Sequence, residues 1–143
     1  MALALPASIP PASIPCHGPG GLLRVRVARH FVARARGLLS GPPLAADEAL
    51  LIAPCSSIHT FGMVYPIDVI FLDRRARIVR VCARVPEGRV RLHWGAAAVV
   101  ETRGGQAARY GLVAGTELSA LRPELGSPWR EFKRRILRSA ASS

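Results

Sequence analysis

The segment Ile67-Asp68-Val69-Ile70-Phe71-Leu72 is apolar at every position but one, so neither face of it can be left in water. It predicts a central strand, covered above and below. Its single polar member, Asp68, must then be hydrogen-bonded, paired or protonated, because an isolated buried charge is too costly to keep. The rest of the chain has to supply that environment.

Partners for such a strand follow at once. Asp73-Arg74-Arg75-Ala76 is a plausible turn into residues 77–85, where Val79, Val81, Ala83 and Val85 alternate with Arg80 and Arg84. The two strands should form a hairpin. Residues 22–27 alternate in the same way, with Leu23, Val25 and Val27 on one face and Arg24 and Arg26 on the other. Residues 49–53 and 96–102 add two further strand candidates. Between the first pair, residues 29–39 place Phe31, Val32, Ala35, Leu38 and Leu39 on one helical face, ending at Gly41-Pro42-Pro43. A short helix over residues 105–110 is expected to stop at Gly111, with Leu112 packing back beneath it, and residues 113–118 to return as turn and strand.

The two ends differ from this middle. Pro6-Ala7-Ser8-Ile9-Pro10 is followed by Pro11-Ala12-Ser13-Ile14-Pro15, and prolines at that density exclude a helix or a central strand. Residues 1–20 read as a disordered, Pro-rich leader, residues 21–120 as one β-rich domain, and residues 121–143 as a linker and a C-terminal helix. In that helix Ser127 is the cap and Pro128 the first residue. Trp129, Phe132 and Ile136 then recur at helical spacing opposite Arg130, Lys133, Arg134 and Arg138. Such a basic amphipathic helix either packs its stripe on the domain or offers a face to an anionic partner.

Charge and cysteine content bound the function. The net charge is +11, carried by 19 Arg and one Lys, yet residues 37–73 hold no Arg or Lys and residues 74–91 hold seven Arg. A basic surface attracts nucleic acid by counterion release, but no aromatic residues interleave with the Arg run and no nucleic-acid-binding motif accompanies it. Non-specific nucleic-acid binding through the Arg-rich strands is therefore the weaker alternative. No apolar stretch approaches the roughly 18–20 residues of a membrane span. Cys16, Cys55 and Cys82 form no C-x-x-C pair, and their odd number suits a reducing, cytoplasmic compartment.

Chemistry concentrates between Cys55 and Asp73. His59 and Thr60 precede Gly62, so a tight turn could expose an imidazole and a hydroxyl. Asp68 could orient that imidazole as a general acid or base, or could accept hydrogen bonds from nearby main-chain amides. His59, with equal right, could fasten its own loop to a backbone group. Met63 and Phe61 are core or pocket lining. The spacings of Cys55, His59, Cys82 and His93 match no zinc pattern, Cys55 and His59 lack an orienting third group, and Gly104-Gly105 alone is weak as a phosphate cradle. No metal site and no cofactor are expected.

Several ordered blocks together carry a resemblance. Arg36-Gly37-Leu38-Leu39, His59-Thr60-Phe61-Gly62-Met63, Pro66-Ile67-Asp68-Val69, Phe71-Leu72-Asp73, Val99-Val100-Glu101 with Gly105, and Gly111-Leu112 with Gly115 resemble the successive blocks of the prokaryotic family called domain of unknown function 192. The resemblance spans residues 22–118. It implies a small, mainly antiparallel β domain with one or two helices, and brings no established activity. Where that family has Gly-Asp near its last strand, this chain has Gly115-Thr116-Glu117.

The combined expectation is an α+β fold, mainly β, built as a compact antiparallel sheet or partly open barrel with one or two short helices. Its site should lie in a cleft at the turn and strand from His59 to Asp68, lined by His59, Thr60, Met63, Asp68 and Glu101. The function expected there is binding of a small ligand or a protein. The alternative is an enzyme with His59 as acid or base and Asp68 as its orienter.

Overall fold

The computed structural model describes residues 13–28 and 43–125. The helix expected over residues 29–39, the C-terminal amphipathic helix and the leader up to residue 12 lie outside these. Among the described residues there are eight strands: β1 (Ser13–Gly18), β2 (Gly21–Val27), β3 (Glu48–Ile52), β4 (Ser57–His59), β5 (Ile67–Leu72), β6 (Ile78–Val85), β7 (Val90–Leu92) and β8 (Ala98–Arg103). A four-residue helix, α1 (Gln106–Arg109), and a 3₁₀ helix (Ser119–Leu125) complete the set.

Six strands form an open mixed sheet in the order β1-β2-β3-β8-β5-β6, and β4 and β7 form a separate two-stranded sheet. Only β2 and β3 run parallel; every other neighbouring pair is antiparallel. The protein is thus mainly β, with few short helices. The barrel form of the expectation gives way to the open sheet.

Strand β5 is central, between β8 and β6, and all six of its residues are buried. Alternation along it divides the interior into two cores. Ile70 and Leu72 join Leu23, Val25, Leu51 and Val100 beneath Ala107, Tyr110, Leu118 and Leu121. Ile67, Val69 and Phe71 join Val85, Cys82 and Val99 beneath Ile58 and Met63. Each such side chain contributes about 1.5–3 kcal/mol on burial, so β5 is the segment the fold can least expose.

Strand β6 departs from the expected alternation. Cys82 is buried while Ala83 and Arg84 are exposed, and the register slips between the pairs Ile67–Val85 and Val69–Cys82. Two residues of β6 therefore stand opposite Asp68 alone, a β-bulge in which Arg84 takes φ 49°. The bulge shifts the phase by one residue, which simple period-2 reading cannot foresee.

Strand β1 corrects the leader reading for residues 13–18, the part of that stretch the strand covers. From Ser13 to Gly18 the chain pairs antiparallel with β2, and Cys16 is buried. Pro15 is tolerated because β1 is an edge strand, where a missing amide breaks no second ladder. Residues 113–118, expected to return as turn and strand, contribute one bridge, Arg77 to Glu117. Helix α1 ends as expected: Gly111 has φ 66°, Leu112 N–H reaches the Ala107 carbonyl at 2.8 Å, and Leu112 is buried.

Candidate functional site

Asp68 projects to the α1 side of the sheet and is fully buried. The N–H groups of Arg84 and Gly105 donate to its Oδ1 at 2.8 and 3.0 Å, and the N–H of Ala107 donates to Oδ2 at 2.8 Å. Helix α1 has no cap from its own side chains, since Gly105 stands at the capping position. The carboxylate of β5 takes that place and also fixes the β6 bulge through Arg84. Three charge-assisted bonds to otherwise orphaned amides make Asp68 a clamp joining β5, β6 and α1.

His59 lies on the other side. It ends β4, where its main chain pairs with Val90, and its exposed side chain makes no hydrogen bond among the described residues; its ring is 5.6 Å from that of Phe61 at 35°. Odd-numbered residues of β5 pack under Ile58 and Met63, so the β4–β7 side is the face opposite Asp68. The structure does not bring His59 and Asp68 together: the central strand separates them.

Thr60 is what holds this outer loop. Its hydroxyl donates to the Pro86 carbonyl at 2.6 Å and accepts from Arg89 N–H at 2.8 Å, while its own N–H donates to the Arg89 carbonyl at 2.8 Å. Its carbonyl accepts from Met63 N–H at 3.2 Å and Gly88 N–H at 3.3 Å. A fully buried threonine thus staples the turn at Pro86–Arg89 to the end of β4. Met63 fills the core below, and the edge of the Phe61 ring comes near Gly88, whose φ of 77° suits glycine.

Glu101 is buried on β8, paired with Val69 of β5 and Leu50 of β3, on the same side of the sheet as Met63. The remaining sulfur and imidazole groups are dispersed. Cys82 packs into the apolar core, the Cys55 thiol donates to the Ser57 carbonyl at 3.1 Å, and the His93 ring stands 5.9 Å from Phe71. Cys16 sits in the other core, where burial pushes its thiol pKa up and keeps it protonated.

An exposed apolar surface was not foreseen. Of the seven large hydrophobic residues exposed among the described residues, five (Phe61, Val64, Val90, Leu92 and Trp94) belong to β4, β7 and their loops. Register explains two of the five: His59 stands opposite Val90 and Ser57 opposite Leu92, so these four share the outward face. The alternation Arg89-Val90-Arg91-Leu92 was visible, but its usual phase would turn the apolar residues inward. Here Arg91 is the half-buried one, and its Nη1 donates back to the Val90 carbonyl at 2.8 Å.

With this geometry in view, the comparison with known families is decisive on kinship. The model of the family described as Uncharacterized ACR, domain of unknown function 192, matches residues 16–120. The chain belongs to this family. Another protein of the family, a UPF0127 protein of Pyrococcus horikoshii, is 42% identical over 65 residues, which is 43% of this chain and 56% of that relative. The chain thus matches a little over half the length of that archaeal protein. Among solved structures, a protein of unknown function from Novosphingobium aromaticivorans shares the architecture with a TM-score of 0.63 and 26% identity, over 78% of this chain and 90% of that one. A structure from Sinorhizobium meliloti, 18% identical with a TM-score of 0.62 over 72% and 88% of the two chains, shares the fold of the family.

Proposed function

We propose that this domain is a binding module whose contact surface is the outer face of β4 and β7 around His59 and Phe61. The observation that carries this reading is the gathering of exposed Phe61, Val90, Leu92 and Trp94 on a loop system that Thr60 holds rigid. Monomeric proteins rarely leave contiguous apolar surface without use, and a preorganised loop loses little entropy when it binds. Thr60 and Met63 then act as supports of the surface, and Asp68 and Glu101 as supports of the sheet beneath it. His59, whose ring nitrogens bond to none of the described residues, is the polar group on this surface that a ligand or protein would meet.

We propose also that the domain works in the cytoplasm, a reading supported by its odd number of cysteines and the lack of a C-x-x-C pair. Among the described residues no helix is long and apolar enough to cross a membrane. An acid–base role for His59 draws no support from Asp68, whose oxygens are engaged across the sheet. Catalysis would need another orienting group.

A thermal-shift screen of the full chain and its His59→Ala variant against metabolites, nucleotides and divalent metals tests the small-ligand form. A binder raises the midpoint of the wild type, and the rise shrinks in the variant. No ligand-dependent rise in either chain removes the small-ligand form and leaves only a macromolecular partner.

A further inference from the structure

We infer that the β4–β7 face docks on an anionic lipid surface, its apolar row entering the headgroup boundary and neighbouring guanidinium groups meeting lipid phosphates. This rests on the reading above that the face is a contact surface. It adds the chemistry of the partner.

The apolar part is built from strand register. Val90 and Leu92 project outward beside His59 and Ser57, Phe61 leans on His59, and Trp94 follows at the end of β7 with 93% of its surface exposed. Val64, 90% exposed, stands in the loop that Thr60 begins. Trp at such a position suits the boundary between headgroups and acyl chains, being apolar in body and polar at its N–H.

The charged part is tied to the same strand. Arg91 donates to the carbonyl of Val90, and Arg80 Nη1 lies 3.5 Å from the carbonyl of Leu92, so two guanidinium groups are held beside the apolar row by that row's own main chain. Arg89 adjoins it, fastened through its main chain to Thr60. Among the described residues none of the three lies within ion-pair distance of a carboxylate, whereas Arg24, Arg26, Arg77 and Arg122 each do. An apolar strip with unneutralised cations along it is complementary to an apolar phase bordered by anions. Single-stranded nucleic acid fits less well: His59 and Phe61 lean on each other rather than offering two open ring faces, and Val64, Val90 and Leu92 give bases nothing to stack on.

The test is co-sedimentation of the full chain with vesicles of phosphatidylcholine alone and of phosphatidylcholine mixed with phosphatidylglycerol. Binding is expected only to the mixed vesicles, weakened about fivefold by Arg80→Gln or Arg91→Gln and abolished by Trp94→Ser combined with Val90→Ser. In a Trp129→Phe background, Trp94 emission should shift to the blue on the mixed vesicles. Arg80, Val90 and Trp94 are exposed and Arg91 is half-buried, and circular dichroism of each variant checks that it is folded.

Three results overturn the lipid inference: no vesicle binding, binding unaffected by the Trp94 and Val90 changes, or binding lost on Trp129→Ser with Phe132→Ser alone. Retention of an oligonucleotide or a protein that Trp94→Ser releases, without vesicle binding, also overturns it. That last result leaves the surface reading intact, so failure of the lipid partner and failure of the surface are separable.

Discussion

The two faces of β5 use polar residues in opposite ways. On the α1 face, Asp68 is enclosed and each of its oxygens is consumed by main-chain amides. On the β4–β7 face, Thr60 is enclosed in the same manner, but it holds up a loop whose outer residues, His59 and Phe61, face water. One side spends its polar group on closing the fold, the other on presenting a surface. A buried polar residue in an otherwise apolar run is therefore no sign by itself of a site; what its bonds hold in place decides.

The largest effect should come from Asp68. In Asp68→Ala three main-chain amides lose their acceptor at once, the β6 bulge loses its anchor and α1 its cap, and the loss of stability should be about 3–5 kcal/mol. Asp68→Asn should recover only part of this, because an amide nitrogen in place of Oδ2 would face the Ala107 N–H as donor to donor. Urea unfolding of the three chains measures it. A loss for Asp68→Ala of less than about 1 kcal/mol would break the contrast between the faces.

That clamp shows where sequence reading reached and where it stopped. The requirement that Asp68 be bonded followed from its place in an apolar run, and the central position of β5, the hairpin to β6, β2, β3 and β8, and the Gly111 stop of α1 were all legible from periodicity and turn residues. The identity of Asp68's partners was not, because Arg84, Gly105 and Ala107 are remote in sequence and bond through main-chain atoms that every residue carries. Strands β4 and β7 were invisible for a related reason. Each has three residues, too few for alternation to register, and their pairing is closed by tertiary bonds, Thr60 to Arg89 at one end and His93 N–H to the Ser56 carbonyl at the other. The cleft expected between His59 and Asp68 depended on both side chains facing the same way, and facing depends on which side of the sheet β4 crosses, a tertiary fact. Strand β1 was missed because proline density was read as disorder, although an edge strand can carry Pro15.

Thr60→Val should have the next largest effect. The methyl group fits the volume but leaves Arg89 N–H and the Pro86 carbonyl without their side-chain partner, costing about 1–3 kcal/mol. The effect should also be local: hydrogen exchange should quicken at Gly88 to Val90 and leave Ala107 to Leu112 unchanged. Equal acceleration at both places would mean that the two faces open together, and the division drawn above would fail. His59→Ala and Phe61→Ala, at exposed positions, should each shift stability by no more than about 0.5 kcal/mol while altering whatever the surface binds. A large loss of stability in His59→Ala would instead make it a structural fastener.

The smallest effect probes the rim of the closed face. Arg77 donates to Glu117 at 2.8 Å, beside the main-chain bonds from Ile78 N–H to Thr116 and from Gly115 N–H to Ile78 that bring the following segment, with buried Leu118, onto the α1 side. The Arg77 guanidinium, by hydrogen bond and by charge, holds the Glu117 carboxyl below its ordinary value, with Arg122 adding to the effect. The folded carboxyl is therefore the stronger acid, so its contribution is present in full above the ordinary glutamate range and is lost as pH falls through the lowered folded value. Both partners are open to solvent, so salt should weaken it as well. Comparing urea midpoints of the wild type and Glu117→Gln from neutral pH downward should show a small constant difference that closes in acid and narrows in high salt. A difference that survived complete protonation would show that Glu117 acts by packing rather than charge, and that the closed face depends on its rim more than on Asp68.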